Sequence, residues 1–366
     1  MRFLSRLRMT CVIVALTFAV VSTASAEPDW GSLLYIPFST MQAVDGTGDG
    51  AWSIPSPPPT YEPAYKVRGV VLNNPGDMLD STSNYIPSDV GTLWQLGAQW
   101  QVYIEAVSLP DDPTNHPELV GDFGGAALWM GQNYGNHIWH WNPADFPGST
   151  AWSYTNSEWE AELERLDYAD NTITEPLRAG DVIEVHARGG LFYNGKQNVN
   201  EEHNNDPALN FDIVVLQRDF ILNPTTITLD QVKDASDNFI FDSSRATGAE
   251  RYQATLVRLE NVTVQDPQNW APEGTVTIAS GTRTMPMRLG RDPAFGTSAP
   301  AVPFDVVAIF DQEAQGYPPD NTSGYRLWVM DASQFDGLRR VPEPSSVALA
   351  LAGAVAVLLG LRKRRC

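Results

Sequence analysis

The sequence predicts an all-β body of two small Greek-key barrels in tandem, with immunoglobulin-like β-sandwiches as the alternative. Three observations predict it. Short runs with period-two alternation recur along the chain, as in Trp100–Val107 and Tyr252–Val264. Gly 28 and Pro 27 make up about 15% of 366 residues, which favours turns and short strands over long helices. The order of parts also repeats. Tyr-x-x-x-x-Val opens each unit, at Tyr65 to Val70 and Tyr252 to Val257. A glycine-bounded middle strand follows, then an Asp-Val strand at Asp181-Val182 and Asp305-Val306, then an edge-like closing strand.

The elements justify this in order. Residues 27–64 read as an N-terminal arm and linker, with an extended start at Asp29–Phe38 and turn signals at Asp45–Gly50 and Pro55–Pro59. The first β domain spans 65–220. Its strands are expected at Tyr65–Leu72, Trp100–Val107, Gly124–Gly131, Asp181–Ala187 and Phe211–Leu216. It is much longer than the second unit, which places an insertion at about 108–170. Ser157–Leu166 within it fits helix or strand. Residues 221–249 connect the units, with Leu229, Val232 and Ala235 at the spacing of a short helix. The second β domain spans 250–336. It has a long opening strand at Tyr252–Val264, a hairpin at 274–289, and strands at Phe304–Asp311 and Gly324–Asp331.

Charge narrows the function classes. The net charge is −20, and seven of the 24 basic residues sit in the terminal segments, so the body is more acidic still. Such a body repels phosphate backbones, because non-specific nucleic-acid affinity comes mainly from Lys and Arg. The two cysteines, Cys11 and Cys366, are terminal. The body therefore has no disulfide, thiolate metal site or catalytic thiol.

The two ends read as addresses. Arg2, Arg6 and Arg8 precede an apolar run from Cys11 to Val21, and Ala24-Ser25-Ala26 is a small-residue cleavage site, so residues 1–26 form a secretory signal. At the other end Val341-Pro342-Glu343-Pro344 precedes an apolar run, 347–361, and the basic cluster Arg362–Arg365. That run is marginal for spanning ~30 Å of hydrocarbon, and the basic cluster would stay on the cytoplasmic side. This three-part tail, 341–366, closely resembles the PEP-CTERM sorting signal of exported bacterial proteins. The resemblance implies signal peptidase and exosortase as partners during export, transient membrane anchoring, and release to the cell surface or extracellular matrix. The body is similar to tandem OB-fold domains. The run Arg178–Val185 resembles the strand these barrels carry after their middle loop, and Gly189–Asn198 the turn into the next strand.

Candidate ligand residues fall in two places. Trp129, Trp139 and Trp141 belong to an aromatic-rich stretch whose indoles, if exposed, would stack on sugars or bases, and if buried would form a small core. Asn198, Glu201 and His203 belong to a polar run, 198–206. It reads first as a solvated turn-rich loop and alternatively as a site for sugar or Ca²⁺, the one cofactor considered. His137 and His140 lack a third ligand at zinc spacing, and Asp45-x-x-x-Asp49 lacks the terminal Glu of a calcium loop. No catalytic motif is marked by spacing, and no carboxylate pair can be nominated. The expectation is a non-enzymatic, exported surface or matrix protein whose ligand is extracellular polysaccharide. A nucleic-acid-binding or nuclease-associated module and an envelope glycoside hydrolase are the alternatives.

Overall fold

Alternation becomes strand wherever one face of the run finds an apolar partner. In β1 (Tyr65–Val71), Tyr65, Val67 and Val71 point into one core while Lys66, Arg68 and Val70 point away from it. The computed structural model describes residues 33–55, 63–74, 100–130, 177–200, 211–290, 292–296 and 298–335. All described residues lie within one compact unit, Leu33–Cys366. They build two sheets, confirming an all-β, OB-like body.

The second sheet is a closed five-stranded barrel. Its strands are β9 (Thr255–Val264), β10 (Thr275–Ser280), β11 (Arg283–Leu289), β12 (Phe304–Gln312) and β13 (Tyr325–Val329). β9 is long and bends at Asn261, which has φ 56. Its body pairs with β12 and its end with β10, which closes the ring. Gly281 takes φ 60 as the first residue of the two-residue turn joining β10 to β11. β13 fills the remaining gap, parallel to β11 and antiparallel to β12. Closure removes the sandwich alternative for this unit.

The first sheet repeats that plan and stops short of closing among the described residues. β1 pairs antiparallel with β2 (Trp100–Ala106) and β4 (Val182–Ala187), and β2 with β3 (Gly125–Met130). β6 (Lys196–Asn200) lies parallel to β3, as β13 does to β11. β6 pairs next with β5 (Leu191–Tyr193), and β4 with β7 (Asp212–Gln217). The predicted equivalence of 211–216 with 324–331 is therefore corrected. The strand that matches β13 in its parallel pairing is β6, and β7 takes over only its antiparallel pairing. β3 falls inside the stretch 108–170 expected to be inserted, and it is a central strand; 131–170, including Ser157–Leu166, lies outside the described residues.

The lead-in to each barrel repeats as well. Ile36 N–H donates to Lys66 O and Ile227 N–H to Arg258 O, each at 2.9 Å; β8 (Thr225–Thr226) runs parallel to β9 just ahead of Ile227. A four-residue helix follows, α1 (Phe38–Met41) or α3 (Leu229–Val232). An Asp-led turn comes next. Asp45 Oδ1 accepts from Thr47 and Asp49 N–H, and Asp234 Oδ1 from Ser236 and Asn238 N–H. The expected helix after 228 forms but ends at Val232, and Ala235 lies in this turn. The arm is no linker: Phe38 and Met41 lie in the first core, 1% exposed.

Three apolar cores result. One lies inside the first sheet and one inside the second barrel, and the third lies between them. In the third, Val70, Leu72, Tyr103 and Ala127 meet Ala254, Ile309, Trp328 and Met330. Among the described residues, no helix is long and apolar enough to cross a membrane.

Candidate functional site

The junction of the two sheets gathers charges from both units, with Asp311 and Lys196 fully buried. Period two puts Tyr103 of β2 and Lys196 of β6 on the outer face of the first sheet. The same rule puts Asp311 of β12 and Arg326 of β13 outside the second barrel. Asp311 Oδ1 accepts from Tyr103 Oη at 2.6 Å and Lys196 Nζ at 2.7 Å, and Oδ2 from Arg326 Nε at 2.8 Å. Glu313 adds a second carboxylate, 3.2 Å from Lys196 Nζ and 3.4 Å from Arg326 Nη2. Two cations thus face two anions in a dry interface. Burial pushes the Asp311 carboxyl up, but Lys196 and Arg326 outweigh it and hold it below the usual carboxylate range. Burial, then the Asp311 charge, drive the Tyr103 hydroxyl far above its ordinary value.

Two more carboxyls are largely buried near the junction, and the first bridges the units. Glu105 accepts from Leu256 N–H at 2.7 Å, and burial pushes it up to about 7. Glu250 accepts from the Tyr325 hydroxyl at 2.5 Å and is also raised by burial to about 7. Its neighbour Arg245 donates to Phe38 O and Ser39 O, tying the lead-in of the second barrel to α1.

A second polar cluster lies on the outer face of β1 and β4. Tyr35 donates to Glu184, whose other oxygen lies 2.5 Å from His186 Nε2. Lys66 Nζ sits 4.1 Å above the Tyr35 ring and 3.5 Å from Glu184 Oε2. Arg68 pairs with Asp112 of α2 (Asp112–Asn115). These contacts bind the arm and α2 over the sheet. Alternation alone would have assigned Lys66, Arg68, Glu184 and His186 to solvent.

Three loops meet at one rim of the junction. The 45–50 turn touches the 313–324 loop through Asn321 Nδ2, which donates to Asp49 Oδ1 at 2.8 Å. Gly48 lies so close that a Cβ there would stand 2.6 Å from Asn321 O. Gly50 lies against the Phe192 ring. The β5–β6 turn meets the same loop, where Ala314 N–H donates to Asn194 O at 2.9 Å and Asn194 Nδ2 to Glu313 Oε1 at 2.6 Å. Two tyrosines stand out from this stitched base: Tyr193, 49% exposed, and Tyr317, fully exposed. Asp45, Asp49 and Asp320 are exposed in the 45–50 and 313–324 loops.

The structure brings two of the sequence-predicted ligand residues together. Trp129 and Asn198 lie on adjacent strands, on the face turned to the second barrel. Trp129 packs partly buried against the third core, so it is not a free stacking platform. Asn198 is 1% exposed in β6, which corrects its reading as the start of a solvated loop. The strand was hidden because its polar side chains find partners far along the chain: Lys196 on Asp311, and the Gln197 N–H on Gln42. Trp139, Trp141, Glu201, His203, His137 and His140 lie outside the described residues, as do Ala24, Ala26 and Val341, Pro342, Glu343 and Pro344. Among the described residues, no three His, Cys, Asp or Glu side chains are grouped to hold a metal. The rim tyrosines carried no distinguishing sequence signal: Tyr193 ends the short apolar run Leu191-Phe192-Tyr193, and Tyr317 stands alone between Gly316 and Pro318.

No protein-family model and no curated protein matches the chain. Among solved structures, it is similar to a murine DNA-binding protein determined with double-stranded DNA. That similarity has 9% identity and a TM-score of 0.27, covering 72% of this chain and 90% of the other. Likeness at that level speaks for neither a common fold nor a common ligand.

Proposed function

We propose that the protein is an exported, non-enzymatic surface or matrix component that binds extracellular polysaccharide. One observation carries the reading. The outer face of β2 and β3, the face through which OB-like barrels take oligonucleotides and oligosaccharides, is sealed against the second barrel in the first unit. Ligand contact falls instead to the loops at the rim of the junction, where Tyr193 and Tyr317 are exposed. The charge of −20 favours a ligand without phosphate. The signal-like N-terminus and the PEP-CTERM-like tail support export and delivery to the surface. Titrating the purified chain against the polysaccharide fraction of the producing cells, with single-stranded DNA as control, tests the reading. Saturable polysaccharide binding is expected. Binding to DNA alone, or to neither, would remove it.

A further inference from the structure

We infer that the rim formed by the 45–50, 192–196 and 313–324 loops is a saccharide-binding site, with Tyr193 and Tyr317 as its stacking platforms, for neutral or amine-bearing glycans. The inference rests on the polysaccharide reading above and adds the site and the charge class. Four observations support it.

The first is exposure. Tyr317 is fully exposed and Tyr193 is 49% exposed, while the described tyrosines Tyr65, Tyr103 and Tyr325 are sealed in cores. A tyrosine offers a flat apolar face and a polar tip, which suits a pyranose ring and its hydroxyls. The second is anchoring of the two loops to each other. The two rings come from different units, yet Asn194, next to Tyr193, is bonded to both Ala314 and Glu313, and Tyr317 lies three residues beyond Ala314. The buried charges beneath, Lys196, Asp311 and Arg326, hold that base in place. Binding there would need little ordering of loops.

The third is close packing without side chains. A Cβ on Gly48 would stand 2.6 Å from Asn321 O and one on Gly50 2.7 Å from the Phe192 ring, so the 45–50 turn meets the other two loops this closely because both positions are glycine. The fourth is charge. Asp45, Asp49 and Asp320 are exposed on two of these loops. Side-chain and backbone donors to Asp45 and Asp320 hold both carboxyls below the ordinary range, so they are ionised. Carboxylates accept from sugar hydroxyls and attract ammonium groups, and they repel uronates, sulfates and phosphates.

The test uses the full chain and four immobilised probes: dextran, chitosan, alginate and single-stranded DNA. The chain is expected to bind dextran or chitosan and to leave alginate and DNA. Tyr193→Ala with Tyr317→Ala should weaken that binding by roughly tenfold or more, as loss of two aromatic platforms requires. Tyr193→Phe with Tyr317→Phe keeps the rings and should retain it within about threefold. Ile221→Ala, at an exposed apolar residue outside the three rim loops, should change nothing. An unchanged melting temperature in the tyrosine variants separates lost contact from lost fold. Wild-type binding that survives the double alanine change would overturn the rim assignment and leave the polysaccharide reading intact. Preference for alginate or DNA would overturn the charge class. Failure to bind any of the saccharide probes, together with failure to bind the producing cells' own polysaccharide, would take down both readings.

Discussion

The two halves of the body solve one topology in different ways. In the second barrel a single strand, β13, makes both the parallel bond to β11 and the antiparallel bond to β12, and the ring closes. In the first sheet those two pairings belong to different strands, β6 on β3 and β7 on β4. Both cores are plugged by their lead-in helices, with Phe38 and Met41 in the first and Leu229 and Val232 in the second. The difference is closure: the second ring closes on its own strands, whereas the first sheet, which does not close among the described residues, depends on packing its outer face against that ring.

Removing the central carboxylate should break that dependence with the largest effect. Asp311→Ala leaves Lys196 and Arg326 with only Glu313 as counter-charge in a largely buried interface and should destabilise the chain by about 3–5 kcal/mol in chemical denaturation. Its counterpart on the outside of the second barrel, Asp305 with Arg258, is partly exposed at 32% and 27%. Asp305→Ala should cost about 1 kcal/mol or less. Equal effects would deny that the junction differs from ordinary surface.

The arm gives the next contrast. Phe38→Ala should cost about 3–4 kcal/mol, because a buried aromatic leaves a void that the strands above cannot fill. Glycine changes at the rim come third. Gly48 has φ 82, and a Cβ there would meet a backbone oxygen at 2.6 Å, so Gly48→Ala should cost about 2–3 kcal/mol. Gly281, with φ 60 and open space around it, should cost only about 1 kcal/mol on the same change. Thermal unfolding of the pair measures the difference between strain alone and strain with a clash.

The last effect is in pH. Burial raises Glu105 and Glu250 from 4.5 to about 7, so the folded state holds protons that the unfolded chain has already released. Their contribution is complete below about 4.5 and is lost as pH rises through 7. Asp311 runs the other way. Its depressed value gives stability present above 3.8 and lost as pH falls through the folded value. Stability should therefore peak in mildly acid solution and decline toward pH 8. Glu105→Gln should flatten that decline by about half, read as melting temperature against pH.

Much of the barrel architecture was legible because strands with one buried face declare themselves by alternation. β9 to β13 and β1, β2 and β4 stand within a few residues of their expected bounds. What was illegible has one physical cause. Lys196, Gln197 and Asn198 look like loop residues until Asp311, Gln42 and the second barrel cover them. The same holds for Lys66, Arg68, Glu184 and His186, whose partners are Tyr35 and Asp112. Polar side chains paired across long stretches of sequence leave no local pattern. At the rim, Trp129 drew attention by type while Tyr193 and Tyr317 did not, since exposure is set by tertiary packing rather than by neighbours in sequence.

Separating the halves tests the dependence most directly. Residues 221–336 and residues 27–220 would each be produced alone and heated while the amide spectrum is followed. The second fragment should unfold in one cooperative transition and show dispersed amide signals. The first should show neither until the second is added. Independent cooperative unfolding of the first fragment, at the melting temperature of the whole chain, would contradict the claim that its sheet depends on packing against the neighbouring barrel.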